Sequence, residues 1–153
     1  MGLDISYYRK LTVVPDAELD KDGDPKDYDN HVRFGRSMEW SESVWPGRND
    51  PLEPNAIYSF VEKGKFHAGS YSGYGSWRRQ LAEFANGDEF HELIDFSDNE
   101  GTIGPIVSAK LAEDFERNQK RADDHDDEWF RIKYREWRKA FETAADSGAV
   151  DFL

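Results

Sequence analysis

Ser70, Tyr71, Ser72, Tyr74, Trp77, Arg78 and Arg79 stand in one short run punctuated by Gly69, Gly73 and Gly75. Glycine lets a backbone approach a ligand closely, while serine hydroxyls and free N–H groups at a helix start suit an anion. Aromatic faces stack on flat rings, and arginine pairs with phosphate or carboxylate. The spacing matches neither the phosphate-cradling loop that ends in Lys-Ser/Thr nor the dinucleotide fingerprint. The run therefore points to a binding loop at the mouth of a helix and not to a named reaction. A second segment, Ser97 to Pro105, sets Asp98 and Glu100 beside Gly101, Thr102 and Gly104, directly before a helix that starts at Pro105. Its free N–H groups form another possible anion site. The two segments are expected to converge on one pocket, with donors from the first and carboxylates from the second. Each also has a plain structural reading: a tight glycine turn that sends Tyr71, Tyr74 and Trp77 into the core, and a helix cap at Thr102 or Gly104.

Other chemistry is thin, and no catalytic residue is assigned. His31, His67, His91 and His125 show no two-ligand helix spacing and none adjoins a nucleophile motif. His67, just before the glycine run, is the one worth testing. Asp20 to Asp24 has the acidic spacing of a calcium loop, but Gly23 arrives too early and no bidentate Glu follows. With no cysteine in the chain, disulfides, thiolate catalysis and cysteine-ligated zinc are excluded. No metal and no cofactor are expected.

The elements that must position these residues change character along the chain. Leu3, Ile5 and Tyr7 alternate with Asp4, Ser6 and Tyr8, so residues 2–15 read as one or two strands. An acidic loop over 16–30 leads to a strand over 31–40, then a proline-rich loop over 41–55, then a hairpin of 56–62 and 65–68 turning at Lys63-Gly64. Beyond the glycine run the period becomes helical: 76–85, a short helix or turn over 89–96, 105–121, and a long helix over 126–145 with its seam at Phe130, Tyr134, Trp137, Phe141 and Ala144. Val150 to Phe152 closes as a short strand. The expected fold is a single α+β domain over 1–153, an N-terminal antiparallel β portion followed by a helical C-terminal half.

The 153 residues carry 32 acidic and 20 basic side chains, a formal net charge of −12. Such a surface repels nucleic acid, so a direct duplex binder is not expected. Residues 31–90 are the least acidic part, with eight acidic and seven basic side chains against 24 and 13 in the remainder. Arg33, Arg36, Arg48, Arg78 and Arg79 lie there and are candidates to gather round a phosphate. No window approaches the roughly 18 apolar residues of a membrane span, and no membrane partner is expected. A cytoplasmic setting follows.

Four blocks stand out: the start Met1-Gly2-Leu3-Asp4-Ile5, the run Ala68 to Tyr74 with Trp77-Arg78, the run Phe96 to Pro105, and the ending Trp137 to Phe141 with Val150 to Phe152. Together they resemble a family of small, mostly uncharacterised phage and prophage proteins. The resemblance implies a phage setting in a host cell and no mechanism. Three functions are carried forward. The first is a phage accessory protein that binds a small phosphorylated or nucleotide-like anion, with sequestration of a host defence signal as one use. The second is an acidic inhibitor that mimics nucleic acid toward a host protein. The third is a small hydrolase with Asp98 or Glu100 as general base.

Overall fold

The computed structural model describes residues 2–153. In chain order the elements are β1 (Leu3–Arg9), β2 (Thr12–Val13), β3 (His31–Val32), α1 (Gly35–Val44), β4 (Tyr58–Ser59), β5 (Glu62–Gly69), α2 (Tyr71–Phe84), α3 (His91–Ile94), β6 (Gly101–Ile103), α4 (Pro105–Arg117), α5 (Gln119–Asp123), α6 (Glu128–Ala144) and β7 (Ala149–Phe152). The main sheet is antiparallel and runs β5-β1-β7-β6; a small second sheet runs β2-β4-β3. The α+β class expected from the sequence is the one observed, with the strands of the first half completed by β6 and β7 from the second. No helix among the described residues is long and apolar enough to cross a membrane.

Period two on β1 sorts the sheet into two unlike faces. Leu3, Ile5 and Tyr7 join Ala68, Ile103, Val150 and Phe152 under the helices in the larger core. Asp4, Ser6 and Tyr8 point the other way. Pairing then places His67 beside Asp4, Lys65 beside Ser6 and Lys63 beside Tyr8 from one side, and Asp151 beside Ser6 and Ala149 beside Tyr8 from the other. Tyr8 and Ala149 belong to a separate, smaller core with Phe34, Met38, Leu52 and Tyr58, which roofs one end of this face.

The long helix α6 buries Phe130, Tyr134, Trp137, Ala140, Phe141 and Ala144, the seam its spacing predicts plus Ala140. Trp137 stacks on Trp77 at 5.9 Å and on Phe141 at 5.7 Å, and meets Phe66 edge-on at 5.1 Å. Pro105 opens α4 at its first turn, as the sequence predicts, but α4 stops at Arg117. There the Asn118 side-chain amide donates back to the Asp114 carbonyl at 2.9 Å, and α5 starts on a new axis.

Three expected elements differ. Residues 31–40 are a strand only at His31–Val32; Gly35 takes φ 62° and a helix follows whose Met38 and Ser41 are fully buried. Lys63-Gly64 is not a turn. Both residues lie inside β5, where a Cβ on Gly64 would sit 2.2 Å from the Tyr7 ring, so this glycine lets an aromatic side chain lie across the neighbouring strand. The glycine run after β5 is itself helical from Tyr71 onward.

Trp137→Ala removes the one ring shared by α6, α2 and the sheet. It is expected to cost about 3 to 5 kcal/mol, read as a lowered urea midpoint with an unchanged slope; an unshifted midpoint would contradict its place in the core.

Candidate functional site

The glycine run is a helix start. Ser70 caps α2 by accepting the Gly73 N–H on its Oγ at 3.0 Å, and its carbonyl takes the Tyr74 N–H at 2.8 Å. A Cβ on Gly73 would meet Ser70 Oγ at 2.9 Å, and Gly69 with φ 132° packs against the Trp129 ring, so these glycines serve a tight strand-to-helix junction. Tyr74, Trp77, Leu81 and Phe84 fall on one face and are buried. Tyr74 and Trp77 therefore have no surface to offer a ligand. The Tyr74 hydroxyl has no hydrogen-bond partner, and burial raises its pKa against the opposing influence of Arg78.

Arg78 lies 5.1 Å from the Tyr74 ring and donates to the Phe96 and Ser97 carbonyls at 2.5 and 3.4 Å. It ties the first segment to the second and is consumed in doing so. The other arginines do not join Arg78: Arg33 and Arg36 share a separate hollow with Asp22 and Asp24, where Arg33 pairs with Asp24 and Asn55, Arg48 pairs with the Glu92 carbonyl and Asp95, and Arg79 is exposed. In the second segment the Ser97 hydroxyl accepts the Asn99 and Glu100 N–H groups, leaving Asp98 and Glu100 exposed. Thr102 is fully buried within β6. Ser72 reaches only Ser70, at 3.4 Å.

Of the ten residues expected at the site, Tyr71 and Glu100 do meet. With Ser37, Asn99, Phe152 and Leu153 they line an open hollow of about 400 Å³. The Ser37 Oγ is buried there without a partner, and Tyr71 is about half exposed. A second hollow, about 480 Å³, lies on the open face of the sheet between Asp4, Ser6, Lys65, His67 and Leu153. Leu153 lines both, so the two hollows adjoin.

The second hollow is made by strand register. His67 Nδ1 and Asp4 Oδ1 are 2.7 Å apart, which orients the imidazole with Nε2 available to an incoming group. Lys65 and Lys63 follow on the same face of β5, the latter with its ammonium 5.5 Å from the Tyr8 ring centre. One residue row crosses the whole sheet as Lys65, Ser6, Asp151 and Thr102. Asp151 is buried and accepts a hydrogen bond from Thr102 Oγ1 at 3.2 Å. Burial pushes its carboxyl from 3.8 up to about 7, against the Thr102 hydrogen bond and the Lys63 charge. Helix α1 seals the β6 end: Ser41 Oγ accepts the Thr102 N–H at 3.3 Å, and a Cβ on Gly101 would stand 2.8 Å from that of Ser41.

His67 was legible as a residue to test. Ser6, Lys65 and Asp151 were missed, although the alternation of Asp4, Ser6, Tyr8 and of Lys63, Lys65, His67 carried the signal that each triplet shares one face. Among the described residues no three His, Asp or Glu side chains cluster as a metal would require. No protein-family model, curated protein or solved structure matches this chain.

A carboxyl whose pKa is raised by folding favours the folded state in acid, and that contribution is lost as pH climbs from the unfolded value toward the folded one. Asp151→Asn keeps an oxygen for Thr102 and removes the titration. The variant is expected to gain stability relative to the parent between ~pH 4 and ~pH 8, by on the order of 2 to 4 kcal/mol. Urea melts at both pH values check this; an identical difference at the two would show that Asp151 titrates as an ordinary carboxyl.

Proposed function

We propose that this protein is a phage-encoded accessory protein that binds a small phosphorylated or nucleotide-like anion on the open face of its main sheet, in the cytoplasm of the host cell. The observation that carries this reading is the hollow where Lys65, His67 and the Ser6 hydroxyl converge. In a chain of net charge −12, Lys63, Lys65 and His67 at alternate positions of one strand gather basic groups on one face, with Asp4 the one side-chain carboxylate among the residues that line the hollow, and a local excess of basic groups is what an anion needs from a protein that otherwise repels it. Lys supplies a mobile ammonium, His67 a ring nitrogen fixed by Asp4, and Ser6 a neutral donor. Holding a host defence signal out of circulation is the use that the phage resemblance suggests.

The acidic-inhibitor alternative rests on net charge alone, and the basic face of β5 interrupts the acidic surface that a nucleic-acid mimic would present. The hydrolase alternative draws on Asp98 and Glu100, which are exposed and lack the burial that tunes a carboxylate for acid–base work.

Calorimetry against linear and cyclic nucleotides tests the proposal. Lys65→Ala is expected to weaken the bound anion by roughly tenfold, the loss of one charge-assisted contact at an exposed site, with the melting temperature of the free protein unchanged. Absence of any anion binding, with capture of a host protein by the same preparation, would favour the acidic-inhibitor reading.

A further inference from the structure

The two hollows that meet at Leu153 differ in chemistry. One offers Lys65, His67 and Ser6. The other offers the half-exposed Tyr71 ring and the Glu100 carboxylate. A phosphate belongs at the first end, where Lys65 and His67 stand beside the Asp4 carboxylate, and not at the second, where Glu100 faces no cation. The second end asks for a flat group that stacks on tyrosine and presents hydrogen-bond donors to an acceptor-only carboxylate. The Glu100 side chain is free to accept them: the Ser97 and Asn99 side chains hold its backbone N–H, at 3.1 and 2.8 Å, while its carboxylate makes no ion pair among the described residues.

Among nucleobases one satisfies this wall. Guanine presents N1–H and N2–H side by side, a pair of donors that a carboxylate accepts in parallel. Adenine and cytosine present a ring acceptor next to their amine, which faces Glu100 with like polarity, and uracil has a single N–H flanked by carbonyls. We infer that the adjoining hollows form one site for a guanine nucleotide, with the base stacked on Tyr71 and paired to Glu100, and the phosphate held by Lys65 and His67. This rests on the anion-binding reading above and adds the identity of the base.

The test is a calorimetric comparison of GMP, AMP, CMP, UMP and ribose 5-phosphate on the parent protein and on Glu100→Gln, Tyr71→Ala and Lys65→Ala. All three side chains are exposed, so thermal melts should show each variant folded. The expected result is GMP binding at least ~10-fold tighter than AMP, because a site built to bond to N–H groups rejects a base that lacks them. Glu100→Gln should erase that preference, since an amide pairs with the donor–acceptor edge of adenine as well, while ribose 5-phosphate binds as before. Tyr71→Ala should weaken every nucleotide and leave ribose 5-phosphate unaffected; Lys65→Ala should weaken all five ligands. Equal binding of GMP and AMP, or a preference that survives Glu100→Gln, overturns the guanine assignment while the anion site stands. Failure of all five ligands to bind overturns both.

Discussion

The stack of Trp137 on Trp77 is the contact on which the rest of the molecule depends. Trp137 comes from α6 and Trp77 from α2, and the same Trp137 ring meets Phe66 of β5 and Phe152 of β7. One side chain therefore joins two helices to both the edge and the interior of the sheet. Packing of this kind fixes positions to fractions of an ångström because a displaced ring loses many contacts at once. The cost accepted in return is polar: the Trp137 indole N–H has no partner, whereas that of Trp77 donates to the Phe130 carbonyl at 3.2 Å. With its inner face locked to α6 and α2, the sheet is free to display unlike residues on its outer face without losing register.

Glycine explains both what was legible in the sequence and what was not. The long helix α6 was readable because its apolar positions recur with helical period through seventeen residues, a signal that local chemistry does not disturb. The run from Gly69 to Arg79 was not readable in the same way, because a binding loop and a capped helix start draw on the same residue types. Ser70 and Gly73 decided for the cap through a local bond between the Ser70 hydroxyl and the Gly73 N–H, while the close packing that asks for glycine at position 69 comes from Trp129, far along the chain. Gly64 misled for a related reason: a glycine after a lysine has turn chemistry, and only the ring of Tyr7 on the neighbouring strand shows why it belongs inside β5. Residues 31–40 are expected as the strand after the acidic loop, and the left-handed Gly35 that switches the chain into a helix is not announced by any residue before it.

The outer face shows the same limit for the site. Ser6 and Asp151 come from opposite ends of the chain and become neighbours through the pairing of β1 with β7. Each triplet was visible as an alternation, but which strand lies beside which is a topological fact, and only that fact puts Lys65, Ser6, Asp151 and Thr102 in a row. Tyr71 and Glu100 were expected to share a pocket and do share one, although by a different route from the one imagined. The loop does not fold over a ligand; Arg78 staples the Phe96–Ser97 backbone to α2, and that staple carries Glu100 to within reach of the Tyr71 hollow.

The lysines of β5 make the last connection between stability and function. β5 is an edge strand, and the pattern of its neighbour decides what it exposes. Asp4 exchanges both backbone bonds with Leu153 across the β7 side, so by the antiparallel alternation Ile5 and Tyr7 bond toward β5, and Lys63, Lys65 and His67 turn their own N–H and C=O groups outward. An edge of this kind recruits other strands unless it is guarded. Here Lys133 donates to the His67 carbonyl at 2.7 Å and covers one end, and the flexible charged side chains of Lys63 and Lys65 discourage a partner strand along the remainder. The charges that protect the edge also lie over the outer sheet face, beside the Asp4 carboxylate, so a change made to the edge changes that face as well. Protection of the edge therefore places Lys65 beside Ser6 and Lys63 beside Tyr8 before any ligand is considered, and of the two only Lys65 reaches the hollow that Asp4, His67 and Leu153 also line.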